Sequence, residues 1–544
     1  MAAIVALAAI LRLANIDQES LWADEGLTVV LGHWPIKTML WYPVDETPVL
    51  YYALHQWTVA AGAGAGAVRL VSACVGIASV VAMYALGRLA IGRIQGLICA
   101  ALLAVWPFHV DYSQEARAYS LLFFLTTTSA ATLLWWFWET QAERAGNRSA
   151  RRRIALAAFA ASTTLCFYTH LLAVIWIALT LQILVSFTAR TRTKRHLVEA
   201  GLAIGAMAIF AIPGVVRLFR KIGVPDAFHW LPQASPRTFL TTLFDVTLPF
   251  GSTEDWPTAV VALILASALI LGALCFLVAR RRLQATGEWA ESLRTKGPAI
   301  AVTIALLSLP LFLWLFGFVV RPVFMPRTIL FAIPGVILLV VSAITLIRNR
   351  TIFCLTSTLF LFAYVAATLH FGTVRPKEKW GAATEFLAAN VRHGDLVIVC
   401  PTWKYPAARH ALSALPLDAP ALTWSKGRML LMEQRFGAEP DWAKKYFGSV
   451  ILLNQQVYQS DDEVIFRPTS ISAARGSSVW LIDSECEAST TKRIDDWIGS
   501  PPAWNRVWRK DGQSFRDRIT INRYVLANPL RRPVELVQEV EPAA

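Results

Sequence analysis

The stretch Phe108–Leu122, FHVDYSQEARAYSLL, sets His109, Asp111, Glu115 and Arg117 between two long apolar runs. A carboxylate can take a proton from a hydroxyl, and a guanidinium can hold a phosphate through two parallel hydrogen bonds. On a helix, Asp111 and Glu115 share a face, whereas Glu115 and Arg117 do not. A short turn here therefore presents Arg117 in one direction and the carboxylates in another. One group would hold a phosphate while another contacts a sugar or orients a base. The plainer alternative is a helix start with a cap and one salt bridge. Other ionisable residues collect in similar settings: Asp24 and Glu25 in LWADEGL, Asp45 and Glu46 in VDETP, and His170 in YTHLL. Arg69 and Arg327 stand where apolar runs begin.

These residues need positioning by elements of an apolar chain. Over 544 residues, 56% are hydrophobic and 16% charged, against about a quarter charged in soluble domains. The apolar residues fall in blocks of about 20, the length that crosses a hydrocarbon core of about 30 Å. The expected class is a polytopic α-helical membrane protein. About eleven spans are read, roughly at 1–16, 67–87, 92–110, 119–138, 154–169, 171–189, 198–216, 258–279, 299–320, 327–347 and 351–371. Residues 1–14 lack a basic leader and a cleavage site, so they are read as a first span and not as a removed signal.

The net charge of +14 does not point to nucleic acid, because most Lys and Arg lie in short clusters between apolar blocks and no basic face alternates with exposed aromatics. With this threading, Arg88/Arg93, Arg144–Arg153, Arg190–Arg195, Arg280–Lys296 and Arg348/Arg350 all fall on one side. That side is cytoplasmic by the positive-inside rule. The opposite, outer face then holds a first loop at 17–66, the DYSQEAR turn, a loop at 217–257 and the tail. In the first loop, Trp22, Leu27 and Val30 form one helix face. Trp22, Trp34, Trp41, Tyr42, Tyr51, Tyr52 and Trp57 are expected as interfacial anchors, and Pro48 opens a second interfacial helix.

The tail reads as an amphipathic helix, a Gly-Asp turn and a strand ending at Cys400, with further strands at GSVILLN, SVWLIDSEC and RYVL. Helices alternating with strands suggest an α/β domain. The expected division is therefore 1–375 in the membrane and 376–544 outside it. Cys400 and Cys486, at strand ends, are candidates for a disulfide on an oxidising face. The seven cysteines show no metal-binding spacing.

SLWADE, YSQEARAYSL, YTHLL and MPRTILFAIPG, in that order and topology, resemble the GT-C membrane glycosyltransferases. More closely, they resemble the protein O-mannosyltransferase-like group, glycosyltransferase family 39, with its bacterial lipid A aminoarabinose and galacturonosyl transferases. The resemblance covers roughly residues 10–375. It implies transfer of a sugar from a polyprenyl-phosphate donor to a lipid A, polysaccharide or protein hydroxyl on the outer (periplasmic) face of the inner, cytoplasmic membrane. It places the general base at Asp24, with Glu25 beside it. Where aminoarabinose transferases carry Glu-Lys-Pro-Pro, this chain has DETP. Asp45 then stands for the metal-binding acid, Glu46 replaces the cation, and Arg117, Arg327 and Arg69 become the phosphate candidates. Asp111, Gln114, Glu115, Tyr119 and Glu46 are candidate substrate contacts. No cofactor is certain; Asp45 and His170 are the candidates for a divalent metal. Two other readings stand beside this one. A transporter or flippase needs polar groups along a path through the span interiors, which are nearly free of ionisable residues. An envelope scaffold would use the outer domain alone.

Overall fold

The computed structural model describes residues 1–41, 48–60, 64–144, 150–191, 193–222, 233–247, 289–319, 322–347, 349–374 and 380–390, and chiefly strand segments between 396 and 535. The expected span at 258–279, the strand at 448–454, Asp45, Glu46 and Cys486 lie outside the described residues.

The chain divides into two compact units: residues 1–14, 35–54 and 69–375 form the first, and 15–34, 55–68 and 376–544 the second. The first is helical. Its elements are α1 (Ala2–Leu13), α3 (Ile36–Trp41), α6 (Arg93–Ala104), α7 (Pro107–Ser113), α8 (Tyr119–Arg144), α9 (Arg151–Phe167), α10 (Ala173–Thr191), α11 (Lys194–Ile222), α12 (Pro236–Thr247), α13 (Trp289–Val319), α14 (Ile333–Ile344) and α15 (Arg350–Val374), with a 3-10 turn at Pro326–Ala332. Two helices run across the division, α4 (Val49–Ala60) and α5 (Ala65–Ala90). Helix α2 (Ala23–Gly32) belongs to the second unit.

Among the described residues, seven helices are long and apolar enough to cross a bilayer, or eight if the bent pair α6–α7 is one span. Every expected span within the described residues falls on helix, although α1 has only 12 residues and α9 only 17. The chain is an integral membrane protein by these helices, and α11 and α15 show why. Leu202, Ile209, Phe210 and Phe219 on one, and Leu355, Leu359 and Phe362 on the other, are each about two-thirds exposed. In water such faces would have to be covered; in hydrocarbon they are solvated.

Inside the bundle, small and hydroxylic residues let the helices approach. At Gly96 a Cβ would meet the Arg88 backbone N at 2.8 Å and the Tyr84 carbonyl at 2.9 Å, so α6 rests directly on α5. Ser129 of α8 and Thr163 of α9 share a hydrogen bond of 2.7 Å, and the Trp176 indole of α10 donates to Ser129 at 3.3 Å. The span expected as continuous at 92–110 is broken. α6 stops at Ala104, α7 starts at Pro107, and the two are bent by 62°. Proline at the first helical position suits this restart.

At the ends of α8, α9 and α11 remote from Tyr119, the charges form a closed network. Arg152, 1% exposed, bonds Glu143 and Glu199 at 2.5 Å each. Arg195 reaches the same two carboxylates at 3.1 and 3.2 Å, Arg153 reaches Glu199 at 3.1 Å, and His196 lies 3.5 Å from Glu143.

In the second unit, five strands make a mixed sheet in the order β2-β1-β6-β8-β7: β1 (Leu396–Cys400), β2 (Ala421–Thr423), β6 (Ser478–Asp483), β7 (Trp504–Arg509) and β8 (Thr520–Leu526). β1 runs parallel to β2 and β6, with Val397 opposite Ala421 and Trp480, while β6, β8 and β7 alternate in direction. Helix α16 (Trp380–Asn390) buries Trp380, Ala383 and Leu387, and its Phe386 ring lies edge-on to Trp480 of β6 at 6.4 Å. β3 (Gln455–Ser460) pairs with β4 (Glu463–Pro468), and β5 (Ser472–Ala473) with β9 (Val534–Glu535), as separate antiparallel pairs.

Removing the buried member of the charge network tests its weight. Arg152→Met leaves two carboxylates facing each other and is expected to cost about 3–5 kcal/mol. Arg195→Met, at a half-exposed position, is expected to cost less than about 1 kcal/mol. Thermal unfolding of the two variants in detergent compares them directly.

Candidate functional site

The segment between α7 and α8 carries the chemistry and is held by side chains throughout. Helix α7 ends at Ser113, so Glu115 leaves the helix and does not share a face with Asp111 as expected; Gln114 is the cap and residues 115–117 form a bend. Asp111 remains on α7 and is half-buried, while Glu115 and Arg117 are buried. The Arg117 backbone N–H donates to the Glu115 carbonyl at 2.7 Å, which closes a tight turn. The Ser72 hydroxyl of α5 donates to the Arg117 carbonyl at 3.2 Å and pairs with Tyr51 OH at 2.7 Å. Arg117 itself donates to Tyr52 OH at 3.4 Å. Arg69, also buried, lies one turn before Ser72 on the same face of α5.

A second edge of the cluster comes from the YTHLL turn between α9 and α10. The Leu50 N–H at the start of α4 donates to the Tyr168 carbonyl at 3.0 Å. His170 faces Tyr119 at 5.9 Å, and Tyr119 packs edge-on against Tyr112 at 5.3 Å. The Leu172 N–H donates to His170 Nδ1 at 3.2 Å. The ring therefore carries its proton on Nε2 and offers a donor there. A metal at Nε2 requires the other tautomer, and among the described residues no three His, Cys, Asp or Glu side chains gather to hold an ion. The described residues of this cluster do not form a metal site, and Asp45, the other metal candidate, lies outside them. Their donor chemistry suits an anion or a sugar hydroxyl.

Arg327 is half-buried at the start of the 3-10 turn, whose onset is set by Thr328: its hydroxyl accepts from the Met325 N–H at 3.1 Å and donates to the Val323 carbonyl at 2.9 Å. Arg327 Nε donates to Met325 Sδ at 2.9 Å.

Asp24 and Glu25 belong to the second unit, in the first turn of α2, where negative charge is favoured. The two are not equivalent. Glu25 is fully buried and its Oε2 accepts the Trp22 N–H at 3.3 Å, the back-reaching half of a capping box. Asp24 is half-buried. Glu25 thus finishes the helix start, a role its neighbour Asp24 does not share. His55, fully buried, sits in the same unit. The Thr58 hydroxyl donates to the His55 carbonyl at 3.0 Å, so the contact of 3.1 Å between that hydroxyl and His55 Nδ1 has the ring as donor.

Among the expected site residues, Arg117, Arg69, Glu115, Gln114, Tyr119 and His170 are drawn into one region by α4, α5 and two turns. Tyr51, Tyr52 and Ser72 were not expected there. The aromatic pair reads in sequence as interfacial anchors, like Trp57, which is 84% exposed. Trp34, Tyr51 and Tyr52 are instead buried in protein at 0–2% exposure. A tyrosine fits either place, since it has an apolar body and a polar tip.

No protein-family model matches the sequence, and no curated protein matches it. Among solved structures, ArnT from Cupriavidus metallidurans in its apo state has a TM-score of 0.56 at 14% identity, covering 96% of this chain and 97% of that one. The same protein bound to undecaprenyl phosphate gives the same figures. The chain thus shares the fold of that ArnT, the kind of fold its motifs led us to expect.

Burial lowers the His55 imidazole to about 4, with the Glu25 carboxylate opposing that shift. The unfolded chain titrates at about 6.5 and binds the proton first, so stability falls as pH drops from about 6.5 toward 4. His55→Gln is expected to flatten this part of the thermal-midpoint profile. Equal acid sensitivity in both proteins counts against the assignment.

Proposed function

We propose that this chain is a membrane glycosyltransferase that moves a sugar from a polyprenyl-phosphate donor to an acceptor hydroxyl outside the cytoplasmic membrane. The observation that carries the reading is Arg117, a buried guanidinium on an irregular loop clamped by Tyr52 and Ser72, in a fold shared with a protein solved with undecaprenyl phosphate. An anion is the ligand such a guanidinium suits.

In the proposed reaction the acceptor oxygen attacks the anomeric carbon, the bond from that carbon to the phosphate oxygen breaks, and the lipid phosphate leaves with its electron pair. Asp24 takes the hydroxyl proton. Arg117, with Arg69 and Arg327, offsets the charge growing on the leaving phosphate. One displacement from the face opposite the phosphate inverts the anomeric centre. Asp111, Glu115 and Tyr119 are assigned to the sugar, as is Glu46, which is outside the described residues; the amide nitrogen of Gln114, a candidate there by sequence, is engaged by the Leu11 and Ala14 carbonyls. The His170 Nε2–H adds a donor, and no step requires a metal. The acceptor class is lipid A, a polysaccharide or a protein hydroxyl. Residues 1–375 are proposed as the transferase domain and 376–544 as an α/β domain on the same outer face.

A transporter reading finds less support. The described charges cluster at helix ends and in loops, where a translocation path would need them at mid-span. A scaffold reading leaves the buried Arg117 loop without a purpose.

Mass spectrometry of lipid-linked sugars and envelope glycans tests the reading, comparing cells lacking the protein with cells carrying Asp24→Asn. Loss of a general base is expected to slow transfer by about 10²–10⁴-fold. Both strains should then accumulate a polyprenyl-phosphate sugar and lose that sugar from one acceptor class. Full transfer by Asp24→Asn would falsify the base assignment.

A further inference from the structure

Arg12 is a cation in the last turn of the apolar helix α1 and is fully buried. A charge so placed is costly unless its hydrogen-bonding groups are matched. Its four hydrogen bonds reach no carboxylate. Nη1 donates to the Ala8 carbonyl of its own helix at 3.2 Å and to Ala104 at 3.0 Å; Nη2 donates to Leu103 at 3.1 Å and to His109 Nδ1 at 2.8 Å. Leu103 and Ala104 end α6 and carry the partial negative charge of a helix C-terminus; the Leu103 carbonyl also accepts the Trp106 N–H at 3.3 Å. Because guanidinium only donates, His109 Nδ1 accepts and the imidazole is neutral.

The support is reciprocal. Gln114 Nε2, just past α7, donates to the Leu11 and Ala14 carbonyls at the end of α1, at 3.1 and 2.8 Å. Each helix end is thus capped by a side chain from the other. The space between is filled: a Cβ at Gly76 of α5 would stand 2.2 Å from Ser113 Oγ and 3.2 Å from Arg12 Cδ. Ser113 in turn donates to the His109 carbonyl at 2.6 Å. Only Glu115 and Ala116 separate this brace from Arg117.

We propose that Arg12 is a positioning residue for the anion-binding Arg117, acting through the α6–α7 break, His109 and Gln114 without touching substrate. This rests on the reading of Arg117 as the phosphate holder. Lysine keeps the charge but concentrates its donors on one atom, so Arg12→Lys cannot serve two carbonyls and the imidazole together.

The test uses the full chain in detergent and two probes, undecaprenyl phosphate and the neutral alcohol undecaprenol, with binding followed by tryptophan fluorescence. Wild type should prefer the phosphate. Arg12→Lys is expected to weaken phosphate binding about tenfold while leaving the alcohol unchanged. The double variant with Arg117→Met should bind no more weakly than Arg117→Met alone, because residues acting in series are not additive. Should Arg12→Lys fail to fold, Gln114→Met, at a half-exposed site, removes the other half of the brace and should show the same selective loss. If Arg117→Met weakens phosphate binding and neither brace variant does, the positioning role is wrong and the phosphate role stands. If the brace variants weaken both probes equally, or add fully to Arg117→Met, Arg12 is only structural and the inference fails. If wild type does not distinguish phosphate from alcohol, the reading of Arg117 falls first and takes this inference with it.

Discussion

Backbone that leaves the helix at membrane depth must find every hydrogen bond inside the protein, because lipid supplies none. The stretch from Leu103 to Ser120 meets this demand almost carbonyl by carbonyl. Arg12 serves Leu103 and Ala104, Thr368 of α15 serves Val105 at 2.6 Å, and Ser113 serves His109. Ser120 serves Tyr112 at 2.8 Å, and Ser72 serves Arg117. The Trp106 indole points the other way and donates to Val246 at the end of α12, at 2.9 Å. α1, α5, α12 and α15 all converge on one irregular segment, and their arrangement follows from its needs.

That convergence separates two kinds of charge in the bundle. Glu143, Arg152, Arg195 and Glu199 satisfy one another and hold three helix ends together. Arg12 and Arg117 are treated differently. The first is spent on carbonyls and an imidazole, and the second meets a phenol hydroxyl. The charge of Arg152 is matched by two carboxylates, whereas the hydrogen bonds of Arg12 end on carbonyls and an imidazole. The distinction lies in partners, not in residue type or burial, since Arg152 is as buried as Arg12.

The helical bundle was legible in the sequence because a run of apolar residues of membrane length has few alternatives to a helix. The YTHLL connection between α9 and α10 was legible for the same reason, being the only polar interruption between two such runs. The α6–α7 break was not. Residues 92–110 read as one apolar block, and Pro107 is compatible with either a kink or a restart. Arg12 reads as the end of a first span, although a cation amid AAILRLANI was the available signal that something inside the bundle needed it. Asp111 and Glu115 share a face only if one helix carries both, and α7 ends between them. Tyr51 and Tyr52 sit in a stretch of aromatics that suits an interface equally well.

The pair Asp24–Glu25 shows what structure adds to a motif. In sequence the two carboxylates stand side by side and only the family resemblance tells them apart; adjacent residues on a helix point about 100° apart. The choice between them is made by the backbone. α2 needs an acceptor for the Trp22 N–H, and a Glu three residues on has the reach to return to it. Once Glu25 turns back, it is buried beside a histidine that burial keeps neutral near physiological pH. Asp24, one bond shorter, stays in the first turn of the helix at a half-buried position. Helix capping thus occupies one acid of the pair, and the proposed base role falls to the other.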